Sequence, residues 1–308
     1  MTIVAFHYTS DDLFAISDGL ISRGDARVTE ENKKILSFKT CYKIPKISLG
    51  RLNYFSEYLG GDFYLAYAGN YTLISNIVNE FTAITSRKLV LYRDQVSGTP
   101  TVYQREDEGE GLRSKSYWDD FNFTDRELVP VTINFLANIL ERVMRSCAQD
   151  FARNAMRNPD VELILFGEQM VNYRRSTGAQ VLKCKGLSDG APTIERFSVM
   201  PWSLVCIGDP VVIPEAVSAI EGDSEFAVPI SVINDSGIQF EKERTESPHV
   251  FLRKRLNVIK KNIIPLILRN AGSIGGSCTI AQSGWASRVE MTTFKNEQLE
   301  FELSKLLG

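Results

Sequence analysis

The apolar runs at the start of this chain do not alternate. Ile3-Val4-Ala5-Phe6 and Leu13-Phe14-Ala15-Ile16 are continuous, and Tyr8-Thr9-Ser10-Asp11-Asp12 separates them as a turn. A strand with one wet face alternates apolar and polar residues, so an unbroken run means both faces are covered. A third run, Phe63-Tyr64-Leu65-Ala66-Tyr67-Ala68, ends at Gly69-Asn70. A helical pattern follows, with Ile74, Ile77, Val78, Phe81 and Ile84 on one face. Strands buried on both faces, interleaved with one-sided helices, predict two antiparallel sheets back to back, each covered by helices. The expected class is α+β, a four-layer αββα sandwich formed by residues 1–308 as a single domain.

The rest of the chain fits this plan. Residues 131–156 carry the clearest apolar stripe, from Leu136 through Ile139, Leu140, Val143, Met144 and Cys147 to Phe151. Strands are expected at 161–166 (ending at Gly167), 179–184, 194–199 and 203–207. Asp209-Pro210 reads as a helix N-cap followed by a first-turn proline, with a short helix to Ile220. Residues 246–268 form a helix that Pro265 kinks or ends. Its inner face is Leu252, Leu256, Ile259 and Ile263, and its solvated outer face is Arg253, Lys254, Arg255, Lys260 and Lys261. The last strands are expected at 278–283 and 286–292. Residues 88–125 read as a solvated surface insertion in which Gln104 to Gly111 is an exposed acidic loop, and Trp118, Phe121 and Phe123 behind it form an aromatic cluster that could dock on a neighbouring subunit.

With 35 basic and 38 acidic residues the chain has no charge bias toward nucleic acid or a membrane surface. No apolar run approaches the ~20 residues of a membrane span. The N-terminus has no signal-peptide pattern, and five scattered cysteines without a CxxC suit a reducing compartment, so the expected location is cytoplasmic. Two histidines, His7 and His249, leave no His-rich metal site. No metal or organic cofactor is expected.

Chemistry centres on Thr2. Removal of Met1 before a small second residue leaves a threonine with a free α-amine, a nucleophile and a base in one unit. The amine titrates near pH ~8 and accepts the hydroxyl proton directly or through a water. A hairpin turn centred on Ser10 pairs Phe6 with Phe14 and brings Asp18 opposite Thr2. A lysine at Lys34 would lower the pKa of the threonine hydroxyl, and Asp18 would hold that lysine. Each residue also has a plainer reading. Threonine is a common second residue, Asp18-Gly19 is a turn, and Lys33-Lys34 is a solvated strand start.

Taken together, Thr2, Asp18 and Lys34 resemble the proteasome β-subunit superfamily of N-terminal nucleophile hydrolases. That family has a mature N-terminal threonine, an acidic residue 16 positions later and a lysine 32 positions later. Thr2-Ile3-Val4-Ala5, Ser17-Asp18-Gly19 and Lys33-Lys34-Ile35 resemble its flanking words, and Ala68-Gly69 before a helix resembles its oxyanion-hole element. Leu163 to Gly167, Val205 to Gly208 and Ser273-Ile274-Gly275-Gly276 are coarser matches. Asp209 stands where the family has the serine of Gly-Ser-Gly, and its late aspartate has no counterpart near 270. Insertions at about 39–61 and 88–125 point to a divergent bacterial-type member.

The resemblance implies a threonine peptidase acting through an acyl-enzyme on peptides or unfolded protein, assembled as a homo-oligomer. Thr2 would be the nucleophile, Lys34 its electrostatic partner, Asp18 the holder of Lys34, and the Gly69 N–H the oxyanion donor. Tyr67 and Tyr71 would line the specificity pocket and favour small or apolar side chains, or else pack under the first helix. The alternatives are a non-catalytic proteasome-like scaffold subunit and an amidase of the same superfamily acting on a small molecule. The sequence names no activating ATPase.

Overall fold

The computed structural model describes residues 2–9, 12–23, 26–29, 31–48, 51–93, 97–104, 122–155, 159–171, 174–188, 191–224, 226, 248–269, 274–283 and 289–307. Among the described residues the fold is α+β, with two large, mostly antiparallel sheets, a two-stranded hairpin and five α-helices. The chain groups into two compact units, Met1–Ile35 with Pro201–Gly308, and Leu36–Met200.

In the first unit, β1 (Ile3–Tyr8) and β2 (Leu13–Asp18) form a hairpin buried along its whole length. The five-stranded sheet continues with β12 (Leu204–Gly208), β13 (Cys278–Ser283) and β14 (Val289–Phe294) in the order β12-β1-β2-β13-β14. Ile3, Ala5, Phe14, Ile16, Cys278 and Ile280 point to one face. There they pack with α3 (Val212–Glu221), α4 (Pro248–Leu268) and α5 (Asn296–Leu307) through Ile220, Leu256, Ile259, Ile263 and Leu299. A small hairpin, β3 (Ile21–Arg23) with β4 (Ala26–Thr29), follows β2.

The hairpin register differs from the expected one. Phe6 pairs with Ala15 and Val4 with Ser17, one residue off the pairing expected from a turn centred on Ser10. The cause is loop parity. Thr9 N–H donates to the Asp12 carbonyl at 2.8 Å, and Asp12 N–H to Thr9 Oγ1 at 3.1 Å, so two residues close the loop where an odd number was expected.

Further expectations are corrected in this unit. Helix α3 starts two residues later than expected: Asp209 Oδ1 takes the Val211 N–H at 2.9 Å in a turn that precedes the helix. Pro265 lies inside α4, which runs on to Leu268, so of the two expected effects it does not end the helix. Strand β14 is described over Val289–Phe294, with the expected residues 286–288 outside the described residues, and α5 was not expected at all, although Leu299, Leu303 and Leu306 have helical spacing. Arg255 is not on a solvated face. It is 2% exposed, donates to the Trp202 carbonyl at 3.0 Å and lies 4.0 Å from the Phe226 ring centroid. A planar, weakly hydrated guanidinium tolerates such a setting better than an ammonium.

His7, on β1, is part of that cluster. Its Nδ1–H donates to the Ser203 carbonyl at 3.0 Å, and its ring is 5.8 Å from that of Phe226. Burial, with the Arg255 charge added, lowers its pKa from 6.5 to about 4, against the pull of the Ser203 carbonyl. Folded His7 is therefore neutral where unfolded His7 takes up a proton. Stability is lost as pH falls from about 6.5 to about 4, by roughly 3 kcal/mol from this group. Urea unfolding of the wild type and of His7→Asn checks this. The wild type should lose about that much more than the variant between pH 7 and 4, and parallel curves would refute it.

In the second unit, β5 (Ile35–Ser48), β6 (Arg51–Gly69), β7 (Leu89–Arg93), β8 (Pro100–Gln104), β9 (Val161–Val171), β10 (Arg174–Ser188) and β11 (Ala191–Ser198) form a sheet of order β11-β10-β9-β6-β5-β7-β8. One pair in it is parallel, β5 with β7. Helices α1 (Tyr71–Arg87) and α2 (Ile133–Ala155) pack on it through Leu73, Ile77, Phe81, Leu136, Leu140 and Met144. Residues 39–61, expected as an insertion, continue β5 and β6. Within the expected insertion at 88–125, residues 89–93 and 100–104 form β7 and β8. Phe123 is buried in this unit's core rather than presented for docking, with the Arg93 guanidinium 5.4 Å from its ring centroid. Trp118 and Phe121 lie outside the described residues. Gly167 does not end β9 but pairs with Phe63 and Gly178. A Cβ there would meet Phe63 Cδ1 at 2.8 Å, so close packing and not a turn explains this glycine.

Among the described residues no helix is long and apolar enough to cross a membrane.

Candidate active site

Two consecutive hairpins bring three of the predicted residues together. The β1–β2 hairpin carries the chain from Thr2 to Asp18, one step beyond the Val4–Ser17 pair. The β3–β4 hairpin then returns it, and Asn32 N–H donates to the Gly19 carbonyl at 3.0 Å. Lys34 follows two residues later. The two 16-residue spacings are thus two hairpin lengths.

Lys34 Nζ donates to Thr2 Oγ1 at 2.5 Å and to Asp18 Oδ1 at 3.0 Å. Thr2, Asp18 and Lys34 are 5%, 0% and 2% exposed. The register correction does not disperse them, because the Asp18 carboxylate sits at the mouth of the ladder. Its Oδ1 also accepts the Ile3 N–H at 3.0 Å, and its Oδ2 accepts those of Leu20 and Gly275, each at 3.3 Å. Burial pushes the Asp18 carboxyl above its ordinary range, and the Lys34 charge and the Ile3 and Gly275 N–H groups pull it back. Burial likewise pushes Lys34 down, against the pull of Asp18. An ammonium held this way faces the Thr2 hydroxyl with few competing waters, where its field acts in a low dielectric.

The peptide of Thr2 is clamped from the other side. Ile3 pairs with Gly208, and Asp209 N–H donates to the Thr2 carbonyl at 2.7 Å. Gly208 has φ +122°, and a Cβ on it would lie 1.8 Å from the Thr2 carbonyl oxygen. Only glycine permits that approach. The roles of Gly208, the Asp209 N–H and the Gly275 N–H were not read from sequence. The available signal was their place in the coarser matches, Val205 to Gly208 with Asp209 after it, and Ser273 to Gly276.

The remaining predicted residues belong to the second unit. Gly69 ends β6 with φ +113°, and a Cβ there would meet the Asp160 carbonyl at 2.4 Å. Asn70 caps α1 by accepting the Leu73 N–H at 3.1 Å. Tyr67 is packed in that unit's core, and Tyr71 is exposed at the first turn of α1. Ser273 lies outside the described residues.

No protein-family model matches the chain, and no curated protein matches it. Among solved structures it is similar to the Anbu (Gly-1) mutant from Hyphomicrobium sp. strain MC1, at 11% identity and a TM-score of 0.47, over 100% of this chain and 95% of that one.

Proposed function

We propose that this chain is a hydrolase whose nucleophile is Thr2 once Met1 has been removed, and that it cleaves peptide bonds through an acyl-enzyme. The bridge of Lys34 between Thr2 Oγ1 and Asp18 is the observation that supports this reading. Thr2 Oγ would attack the substrate carbonyl while the α-amine takes its proton. The same amine would return the proton to the leaving amine, and then activate the water that releases the acyl group. Lys34, anchored by Asp18, would stabilise the developing alkoxide. For the oxyanion donor we propose the Gly69 N–H, and for the specificity pocket Tyr67 and Tyr71, on the resemblance of those words alone. A four-layer αββα arrangement and assembly into a homo-oligomer belong to the same proposal.

Intact mass together with acid-quench trapping tests it. The purified protein should lack one methionine residue. Quenching during turnover of a peptide ester should leave the acyl group on the peptide that begins with Thr2. Retained Met1 would block the amine as an amide and favour the scaffold reading. An acyl group mapped to another residue would displace Thr2 as nucleophile.

A further inference from the structure

A cavity of about 20 Å³ lies in the first unit under α4, at the loop end of the β1–β2 hairpin. The β1–β2 ladder pairs His7 with Phe14, and the β2–β13 ladder pairs Phe14 with Gln282. Residues directly opposite across antiparallel strands face the same way, so these three side chains form a row on the helix side of the sheet. All three line the cavity, together with Asp12, Ser283 and, from α4, Leu256.

The His7 ring is 0% exposed. Its Nδ1 meets the Ser203 carbonyl, so Nδ1 carries the ring proton and Nε2 is an acceptor. The two ring nitrogens point to different sides of the ring. With Nδ1 turned to Ser203, next to β12, Nε2 faces the side where β2 and β13 wall the cavity. Among the described residues no protein group bonds to Nε2. A buried acceptor in that state costs the full loss of its hydration, so it calls for a donor.

The lining leaves that donor to a small ligand. Ser283 Oγ gives its proton to the Leu13 carbonyl at 3.1 Å and accepts the Leu13 N–H at 2.6 Å. The Asp12 carboxylate only accepts, and the Gln282 amide both donates and accepts. A water needs about 10–15 Å³ of such space and about two to four polar partners, so there is room for one and not for two. A small-molecule pocket needs roughly 300 Å³ or more. No three His, Cys, Asp or Glu side chains gather to ligate a metal among the described residues. We propose that this cavity is a binding site for one water molecule. It donates one proton to His7 Nε2 and the other to the Asp12 carboxylate, and it accepts from the Gln282 amide. The water thereby ties β1, the hairpin loop and β13 together at the end of β1 away from Thr2, and this holds whether or not Thr2 is a nucleophile.

Two measurements on the full chain test it. A high-resolution crystal structure should show one density peak within about 2.7–3.2 Å of His7 Nε2, with no anomalous signal at the zinc, nickel or copper edge. In solution, isotope-labelled histidine reports on two rings only, His7 and His249, and His249→Gln assigns them. The His7 Hε1 proton should show water NOE and ROE of opposite sign, the mark of a long-held water. His7→Phe removes the acceptor and should lose the density peak. Should that variant not fold, Gln282→Leu changes a half-buried wall, keeps His7 and should abolish the opposite-sign pair. Same-sign or absent water cross-peaks in the wild type, no density in the cavity, or a protein donor found on Nε2 would overturn the proposal. So would signals unchanged in the variants, and an anomalous peak would replace the water by a metal ion.

Discussion

Thr2→Ala should lower hydrolysis by roughly 10⁶-fold, to the background of the binding site, because the attacking oxygen is gone. Lys34→Ala should cost about 10²–10³, the range for removing one preorganised electrostatic contact. The two losses differ in kind. Thr2→Ala leaves the Lys34–Asp18 pair in place, so folding should be little changed. Lys34→Ala leaves a carboxyl at 0% exposure with no cation, held only by the N–H groups of Ile3, Leu20 and Gly275. Asp18 then binds a proton more readily, and the Lys34→Ala protein should unfold more easily as pH rises. Thr2→Ser restores an Oγ and should recover most of the Thr2→Ala loss. Lys34→Arg should recover little, since a planar fork cannot take the position of one Nζ that serves both partners. The readout is kcat/KM on a fluorogenic peptide with denaturant curves on the same samples. Equal activity in wild type and Thr2→Ala would end the nucleophile assignment.

Gly208→Ala should be the most destabilising single-methyl change in the first unit, at roughly 4 kcal/mol. Left-handed backbone alone costs a non-glycine residue about 1–2 kcal/mol. Here the added carbon would also lie 1.8 Å from the Thr2 carbonyl oxygen and 2.6 Å from its carbon. Backbone atoms cannot step aside as a flexible side chain does. Gly98, also at positive φ but with nothing within 4 Å of a Cβ, is the control. Gly98→Ala should show only the conformational part. Equal losses in guanidinium unfolding would mean that contact with Thr2 does not matter.

What was legible in the sequence was whatever is local. Thr2, Asp18 and Lys34 could be linked because each spacing is one hairpin long, and unbroken runs such as Ile3–Phe6 mark strands buried on both faces. The register failed on a single residue, because a sequence of turn-formers does not state whether two or three of them close the loop. Arg255 was placed outside because helical spacing says which side an apolar stripe takes, not what a long cation reaches once Trp202 and Phe226 arrive from elsewhere in the chain. Gly208 and Gly275 act on residues about 200 and 250 positions away, beyond any window read along the chain. The strands in 88–104 were hidden by the acidic run in the sequence that follows them.

The position of β1 has a consequence in time. Thr2 is 5% exposed because β1 is hydrogen-bonded on both sides, by β2 and by β12. Its second neighbour, Leu204–Gly208, leaves the ribosome about 200 residues later, an interval of roughly 10 to 40 s at ~5–20 residues per second. During that interval the first strand has one partner at most, and its terminal peptide bond is open to an aminopeptidase. Once β12 docks, the Thr2 carbonyl is held by the Asp209 N–H and Thr2 is buried. On the Thr2 reading, removal of Met1 is therefore a race against synthesis of the about 200 residues between β1 and β12. The late arrival of β12 also means that the Gly208–Asp209 clamp on the Thr2 carbonyl forms only after about two thirds of the chain has been made.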